Sequence, residues 1–256
     1  MQRRQFIIDS SAAVGSLLPI AGLAALPCPP SPLSAAGGTQ ATTTCPAPVA
    51  GAYTTSFDLN ENPINESGRW KNGRADGLDW LDIQTGSGRA YAAATVSDAE
   101  GNVNDDIACL TGTWSNNQQA SAVIYRAPGY DPSTIGVNHE VELHVRCNIT
   151  AHSIRTYECT LSATGPFIVR WNGPLGNITY LSETNLGYVP MATGQVLRAT
   201  VVGNVISLYQ NEVLICQATD SSAQRIVSGS PGLAFFPRSR ATVSGYGFSE
   251  FTGSNL

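Results

Sequence analysis

Between Gly194 and Cys216 apolar residues fall on alternate positions and are interrupted twice. Leu197, Ala199 and Val201 alternate with other residues, Gly203-Asn204 breaks the run, Ile206 and Leu208 resume it, and Asn211-Glu212 breaks it again before Val213, Leu214 and Ile215. A period of two, cut by two-residue turn pairs, predicts three antiparallel strands joined by tight hairpins. Gly-Asn suits such a turn because glycine reaches positive φ without steric cost. That register sets Val201 opposite Ile206 and Ala199 opposite Leu208, and a tight turn at Asn211-Glu212 would set Leu208 opposite Ile215. The resulting apolar patch needs a second layer to cover it.

The same pattern recurs along the chain. Strands are expected at Tyr53 to Leu59, Arg89 to Val96, Ile107 to Trp114, Gln119 to Tyr125, Glu140 to Asn148, Ile154 to Leu161, Phe167 to Trp171, Ile178 to Leu181, Gly232 to Phe236 and Ser244 to Phe251. Irregular stretches fill 73–88 and 126–138. No segment carries a helical apolar stripe. Many short strands at turn spacings of about 8–12 residues predict an all-β, two-sheet antiparallel sandwich. The 25 glycines and 15 prolines supply its turns.

The N-terminal residues read as an address. Arg3-Arg4 is followed by Phe6 and Ile7 and then by an apolar run rich in Ala and Gly. This resembles a bacterial twin-arginine export signal over 1–36, followed by a Pro/Ala/Thr/Ser linker over 37–50 and the sandwich over 51–256. Export places the chain in the periplasm or outside the cell, with no membrane attachment after signal removal, and it permits disulfides. A formal net charge of -5 disfavours a nucleic-acid partner. Cys109, Cys147, Cys159 and Cys216 lie in the sandwich region, and four cysteines allow three pairings. Cys147 and Cys159 flank one expected hairpin, which favours that pair and leaves Cys109 with Cys216.

Five stretches together carry a resemblance: FDLNENPINESGRW from Phe57, IVRWNG from Ile168, GQVLRATVVGNVISLYQNEVLI from Gly194, SPGLAFF from Ser230 and GYGFSEF from Gly245. Their order is similar to the concanavalin A-like lectin/glucanase superfamily, including laminin-G-like jelly rolls. The resemblance implies that the sandwich is a two-sheet antiparallel jelly-roll sandwich of the concanavalin A-like kind. It leaves open a lectin, a polysaccharide-cleaving enzyme (a hydrolase or a lyase) or a structural or adhesion domain. Where the family has Asn-Gly at the second hairpin, this chain has Asn211-Glu212.

Three constellations are candidates for chemistry. In the strand from Glu140, alternation puts Glu140, Glu142, His144 and Arg146 on one face and Val141, Leu143, Val145 and Cys147 on the other. Carboxylates two residues apart on a strand lie about 6.5–7 Å apart, within the range of about 5–10 Å used by glycosidase pairs. Glucanases of the superfamily resemble Glu-x-Asp-x-x-Glu here; Glu140 and Glu142 match its first half, and Val145 stands where the last acid belongs. Lyases of the superfamily pair Arg and Glu with a distant His and Tyr, for which Arg146, His144, Tyr157 and Tyr209 are available. The polar turn containing Asp98, Glu100, Asn102, Asp105 and Asp106 offers hard oxygens suited to calcium. Flat rings stack on sugar faces, so Trp70, Trp80, Trp114 and Trp171, with Arg170 and Asn172 beside the last, are candidate contacts to a carbohydrate or polysaccharide.

Overall fold

The computed structural model describes residues 51–93, 105–129, 140–162, 164–184, 191–236 and 243–256. Among these there are fifteen strands and no α-helix: β1 (Ala52–Thr55), β2 (Trp70–Asn72), β3 (Leu81–Thr85), β4 (Ala90–Ala92), β5 (Asp106–Leu110), β6 (Gln118–Arg126), β7 (Glu140–Thr150), β8 (Ser153–Ser162), β9 (Gly165–Gly173), β10 (Ile178–Glu183), β11 (Val196–Val202), β12 (Val205–Gln210), β13 (Val213–Thr219), β14 (Ser230–Phe236) and β15 (Tyr246–Asn255). The alternating stretches form strands, but the one expected from Tyr53 to Leu59 ends at Thr55, the one from Ile107 to Trp114 ends at Leu110, and the expected end of the one from Arg89 to Val96 lies outside the described residues. Strands β2 and β3 arise within stretches whose alternation is too short to announce them.

The ladder runs β10-β9-β8-β7-β14-β5-β3-β4-β15-β6-β11-β12-β13, with β1 on β15 and β2 on β5. Strand β3 is the crease. Its first residues, Leu81 and Asp82, run parallel to β5, whereas Ile83 to Thr85 pair antiparallel with β4. The two halves thereby fold face to face. Their inner faces bury Val141, Leu143 and Val145 of β7, Tyr157, Cys159 and Leu161 of β8 and Leu233 and Phe235 of β14 against Ala120, Ala122 and Ile124 of β6, Leu197, Ala199 and Val201 of β11, and Ile206 and Leu208 of β12.

The β11–β12 hairpin has the expected register, Val201 with Ile206 and Ala199 with Leu208. Its Gly203 has φ +60°, which a first turn residue of this kind requires. The second hairpin is equally tight. Asn211 and Glu212 both have positive φ, +49° and +66°, and Gln210 pairs with Val213. Leu208 meets Cys216 rather than Ile215, because an irregularity between Leu208 and Tyr209 inserts one residue into β13.

A bulge in β7 has larger consequences. The pairing with β8 shifts between Val145 and Asn148, and Arg146 has φ +53°. The extra residue reverses the facing of every later side chain in the strand. Cys147 therefore leaves the face of Val141, Leu143 and Val145 and joins Cys109, Ile107, Ile149 and Ala234 in a second apolar cluster on the outer face of the β7 half. There Cys109 and Cys147 form a disulfide with Cα atoms 6.4 Å apart. This corrects the expected pairs Cys147–Cys159 and Cys109–Cys216. Cys159 and Cys216 stay reduced and buried, both in the main core.

Candidate functional site

The outer face of the β7 half is built of cross-strand rows. One row is Ile107, Ala234, Glu142, Thr160 and Phe167 across β5, β14, β7, β8 and β9. The next is Cys109, Gly232, His144, Glu158, Val169 and Tyr180, reaching β10. A third carries Thr156, Trp171 and Ile178. Trp80, from the segment before β3, packs onto these rows, its ring 4.5 Å from Trp171 and 6.4 Å from His144 between centroids. The outer face of the sheet is thus covered here by a third layer, in which Leu78 and Trp80 cluster with Cys109, Cys147, Ile149, Ile154, Val169 and Trp171 of the strands.

Three ionisable side chains sit inside that layer. Glu142 and His144 have no exposed surface and Glu158 is 4% exposed. His144 Nε2 lies 3.3 Å from Glu142 Oε2, and its Nδ1 lies 3.1 Å from Thr156 Oγ1. Thr160 Oγ1 donates to Glu158 Oε1 at 2.6 Å, and Trp171 Nε1 donates to Glu158 Oε2 at 2.5 Å. Burial pushes the Glu142 carboxyl well above the usual carboxylate range, and the charges of Asp105, Glu158, Glu140 and Asp106 push it further. Burial lowers His144 to about 3, so its imidazole is neutral at physiological pH. Burial also raises Glu158, opposed by the bonds from Thr160 and Trp171. The layer therefore favours neutral forms and resists holding separate charges.

Glu140, Glu142 and His144 share this face as the alternation predicts. Arg146 does not. The bulge turns it away, and its guanidinium donates to the carbonyls of Asn116 (Nε, 2.8 Å), Ile226 (Nη1, 2.7 Å) and Gly203 (Nη2, 2.8 Å). It ties loop ends together at some remove from the stripe. Tyr157 faces the main core, its hydroxyl donating to Asp220 Oδ2 at 2.9 Å. Tyr209 lies on β12 of the other half, under the Arg198 guanidinium. Neither joins His144.

Arg170 and Asn172 share a face, with Arg170 Nε donating to Asn172 Oδ1 at 2.7 Å, but Arg170 is committed to Asp220 (2.7 Å) and Ser222 (2.6 Å). Trp171 points to the opposite face. Trp70 is buried against Phe251, its Nε1 donating to Glu66 Oε2 at 2.6 Å, and Trp114 is half-buried, donating to Thr111 O at 3.1 Å. The tryptophans thus serve packing. Of the acidic turn, Asp98, Glu100 and Asn102 lie outside the described residues. Asp105 and Asp106 are buried, and Asp105 has a carboxylate oxygen within 4.8 Å of those of Glu140 and Glu142. Acidic groups able to hold a metal therefore exist on this face.

Sequence reasoning missed Glu158, Thr156 and Thr160. Their own alternation along β8 was legible, but the placing of Glu158 and Thr156 beside His144, and of Thr160 opposite Glu142, depends on the bulge. It also missed Tyr180, which is 60% exposed and lies beside Phe167 with ring centroids 5.8 Å apart. A shallow depression next to this pair is lined by Thr164, Gly165, Pro166, Phe167, Glu183 and Thr184.

No family model matches the chain, and no curated protein matches its sequence. Solved structures do match. A protein of unknown function with a galectin-like fold from Bacillus subtilis superposes with a TM-score of 0.54 at 8% identity, over 81% of this chain and 96% of that one. The carbohydrate binding module CBM66 from Bacillus subtilis gives 0.47 at 13% identity, over 73% and 92%. A β-glucanase from Bacillus licheniformis gives 0.46 at 11% identity, over 81% and 99%. At these identities the likeness is one of architecture alone: the chain shares with the first of these a galectin-like, two-sheet jelly-roll fold.

Proposed function

We propose that this chain is an exported carbohydrate-binding protein that holds a glycan at the β9–β10 edge of its outer face. The observation that carries this reading is the pair of rings there. Tyr180 offers an exposed flat face braced by Phe167, beside a depression with the hydroxyls of Thr164 and Thr184 and the carboxylate of Glu183. An apolar ring face with hydroxyl and carboxylate groups at its rim is the chemistry that recognises a sugar ring. The twin-arginine pattern and the Cys109–Cys147 disulfide support an oxidising, extracytoplasmic setting.

A second reading, cleavage of a polysaccharide, draws on Glu142 and Glu158, which have carboxylate oxygens within 4.8 Å of one another. That is close to the separation of about 5 Å typical of retaining glycosidases. Burial counts against it, because a substrate has no access to Glu142 in this conformation.

One experiment separates the two. The mature chain is screened against a polysaccharide panel, with retention and reducing-end release read together. Retention without release, weakened about tenfold or more by Tyr180→Ala, a loss of about 1.4 kcal/mol, is the expected result. Retention on no polysaccharide, or binding indifferent to Tyr180→Ala, overturns the binding reading. Release abolished by Glu142→Gln and Glu158→Gln would install the enzyme in its place.

A further inference from the structure

The Glu142–His144–Glu158 cluster is separate from the β9–β10 edge and has an unsolved internal problem. Thr156 Oγ1 has two carbonyls to donate to, Tyr157 O at 3.3 Å and Val145 O at 3.4 Å. With its hydrogen directed there, Thr156 accepts from His144 Nδ1–H. That tautomer turns the bare lone pair of Nε2 toward Glu142 Oε2, 3.3 Å away, a contact that needs either a proton on Oε2 or a cation shared by the two atoms. Meanwhile Glu142 Oε1 is buried with no hydrogen-bond partner among the described residues. An orphaned buried carboxylate oxygen keeps the full cost of losing water without a partner to offset it, and a cation held at this cluster answers both needs at once.

We infer that Glu142, His144 and Glu158 form a binding site for a divalent first-row transition ion. Ligand atoms of all three residues lie within 4.8 Å of one another. Two ligands on one tetrahedral ion, each at about 2.0–2.1 Å, stand about 3.3 Å apart, and the Glu142–His144 spacing matches this without rearrangement. Thr156 is the outer partner that fixes the imidazole tautomer, as metal-bound histidines require. Glu158 is oriented by Thr160 and Trp171. Two carboxylates neutralise the two charges of the ion, which makes it tolerable in a dry layer. The imidazole selects against calcium and magnesium, which prefer oxygen alone, and in favour of zinc, cobalt or nickel. The sequence-predicted calcium turn is a different set of residues, sharing only its neighbourhood through Asp105.

The test uses the mature full chain, stripped with chelator during unfolding and refolded with Zn2+, Co2+ or Ca2+. One equivalent of Zn2+ or Co2+ is expected to remain after gel filtration and Ca2+ to be lost. Bound Co2+ is expected to give visible d–d bands and to quench the fluorescence of Trp171, which contacts Glu158, and of Trp80. His144→Gln and Glu158→Gln should each weaken Zn2+ binding by a hundredfold or more. Thr156→Val should weaken it about tenfold, the scale of an outer-shell loss. His152→Ala, which removes an exposed histidine beside Asp79, should leave it unchanged. Should the ligand variants fail to refold, the cobalt spectrum of the unaltered chain decides. No retained ion, retention without tryptophan quenching, or retention that disappears with His152 overturns the site.

Discussion

At the residue scale two of the buried ionisable groups among the described residues, Asp220 and Glu142, sit in opposite electrostatic settings. Arg170 and Asp220 are both buried and 2.7 Å apart, and Asp220 also accepts from Tyr157, from the Ser222 hydroxyl and from the Ser222 backbone N–H. Burial works against ionising Asp220, but the Ser222, Arg170 and Tyr157 bonds outweigh it and hold its carboxyl below the ordinary value. An acid whose folded-state pKa is depressed contributes stability that is fully present above its unfolded value of about 3.9 and is lost as pH falls through the folded one. The urea midpoint of the unaltered chain should therefore drop below about pH 4. Asp220→Asn, less stable at neutral pH, should show a shallower acid decline, and an unchanged slope would show that other carboxylates dominate. Glu142 is the contrasting case, a buried carboxyl pressed by the like charges of Asp105, Glu158, Glu140 and Asp106.

At the scale of the element, one inserted residue decides most of what the sequence hid. Strict alternation in β7 predicts Cys147 beside Val145 in the main core. With Arg146 bulged, Cys147 moves to the outer face, Arg146 turns to clamp three carbonyls, and His144 pairs with Glu158. Without the shift, the register that pairs Ile149 with Ile154 would continue to set His144 against Cys159. Period-two reasoning carries no information about a bulge, because the signal for it is a backbone angle and not a side-chain type. The β11–β12 hairpin was legible because glycine itself supplies the angle its turn needs. The disulfide spans β14 above Gly232, where a Cβ would lie 2.7 Å from Cys109 Sγ and 2.8 Å from Ala108 O. Gly232→Ala should hence destabilise by about 1–3 kcal/mol through overpacking and slow formation of the bond. Closing a loop with a sequence separation of 38 is worth up to about 4 kcal/mol in chain entropy. Replacing Cys109 and Cys147 by serine should lower the stability measured in denaturant by an amount of that order or less. Mass mapping should find Cys159 and Cys216 as free thiols in the native chain, unreactive until it unfolds.

At the scale of the whole molecule, the sheet is continuous from β10 to β13, and its two ends meet, with Cys216 Sγ 3.5 Å from Ser182 Oγ. The two-layer class was legible from alternation alone, since a strand with one apolar face needs a partner face. The third layer was not. Trp80 sits in a stretch without periodicity, and nothing in its neighbours says that the stripe of Glu142 and His144 will be roofed by it. Such a roof can unfold with the sandwich or before it. The main core and the outer cluster are distinct groups of buried side chains, but they share strands β5, β7, β8, β9 and β14 as a common wall, and the disulfide crosses that wall. Leu208→Ala removes a fully buried side chain from the main core, at a cost of about 2–5 kcal/mol; Trp80→Ala removes one from the roof, at about 3–5 kcal/mol. If the wall couples them, far-UV dichroism and the remaining tryptophan fluorescence will follow one superimposed urea transition in both variants. If the roof melts alone, Trp80→Ala will leave the far-UV midpoint near that of the unaltered chain while Trp171 emission changes first. The coupled outcome is expected, because each residue of the metal cluster is anchored on β7 or β8, and those two strands bury their opposite sides in the main core.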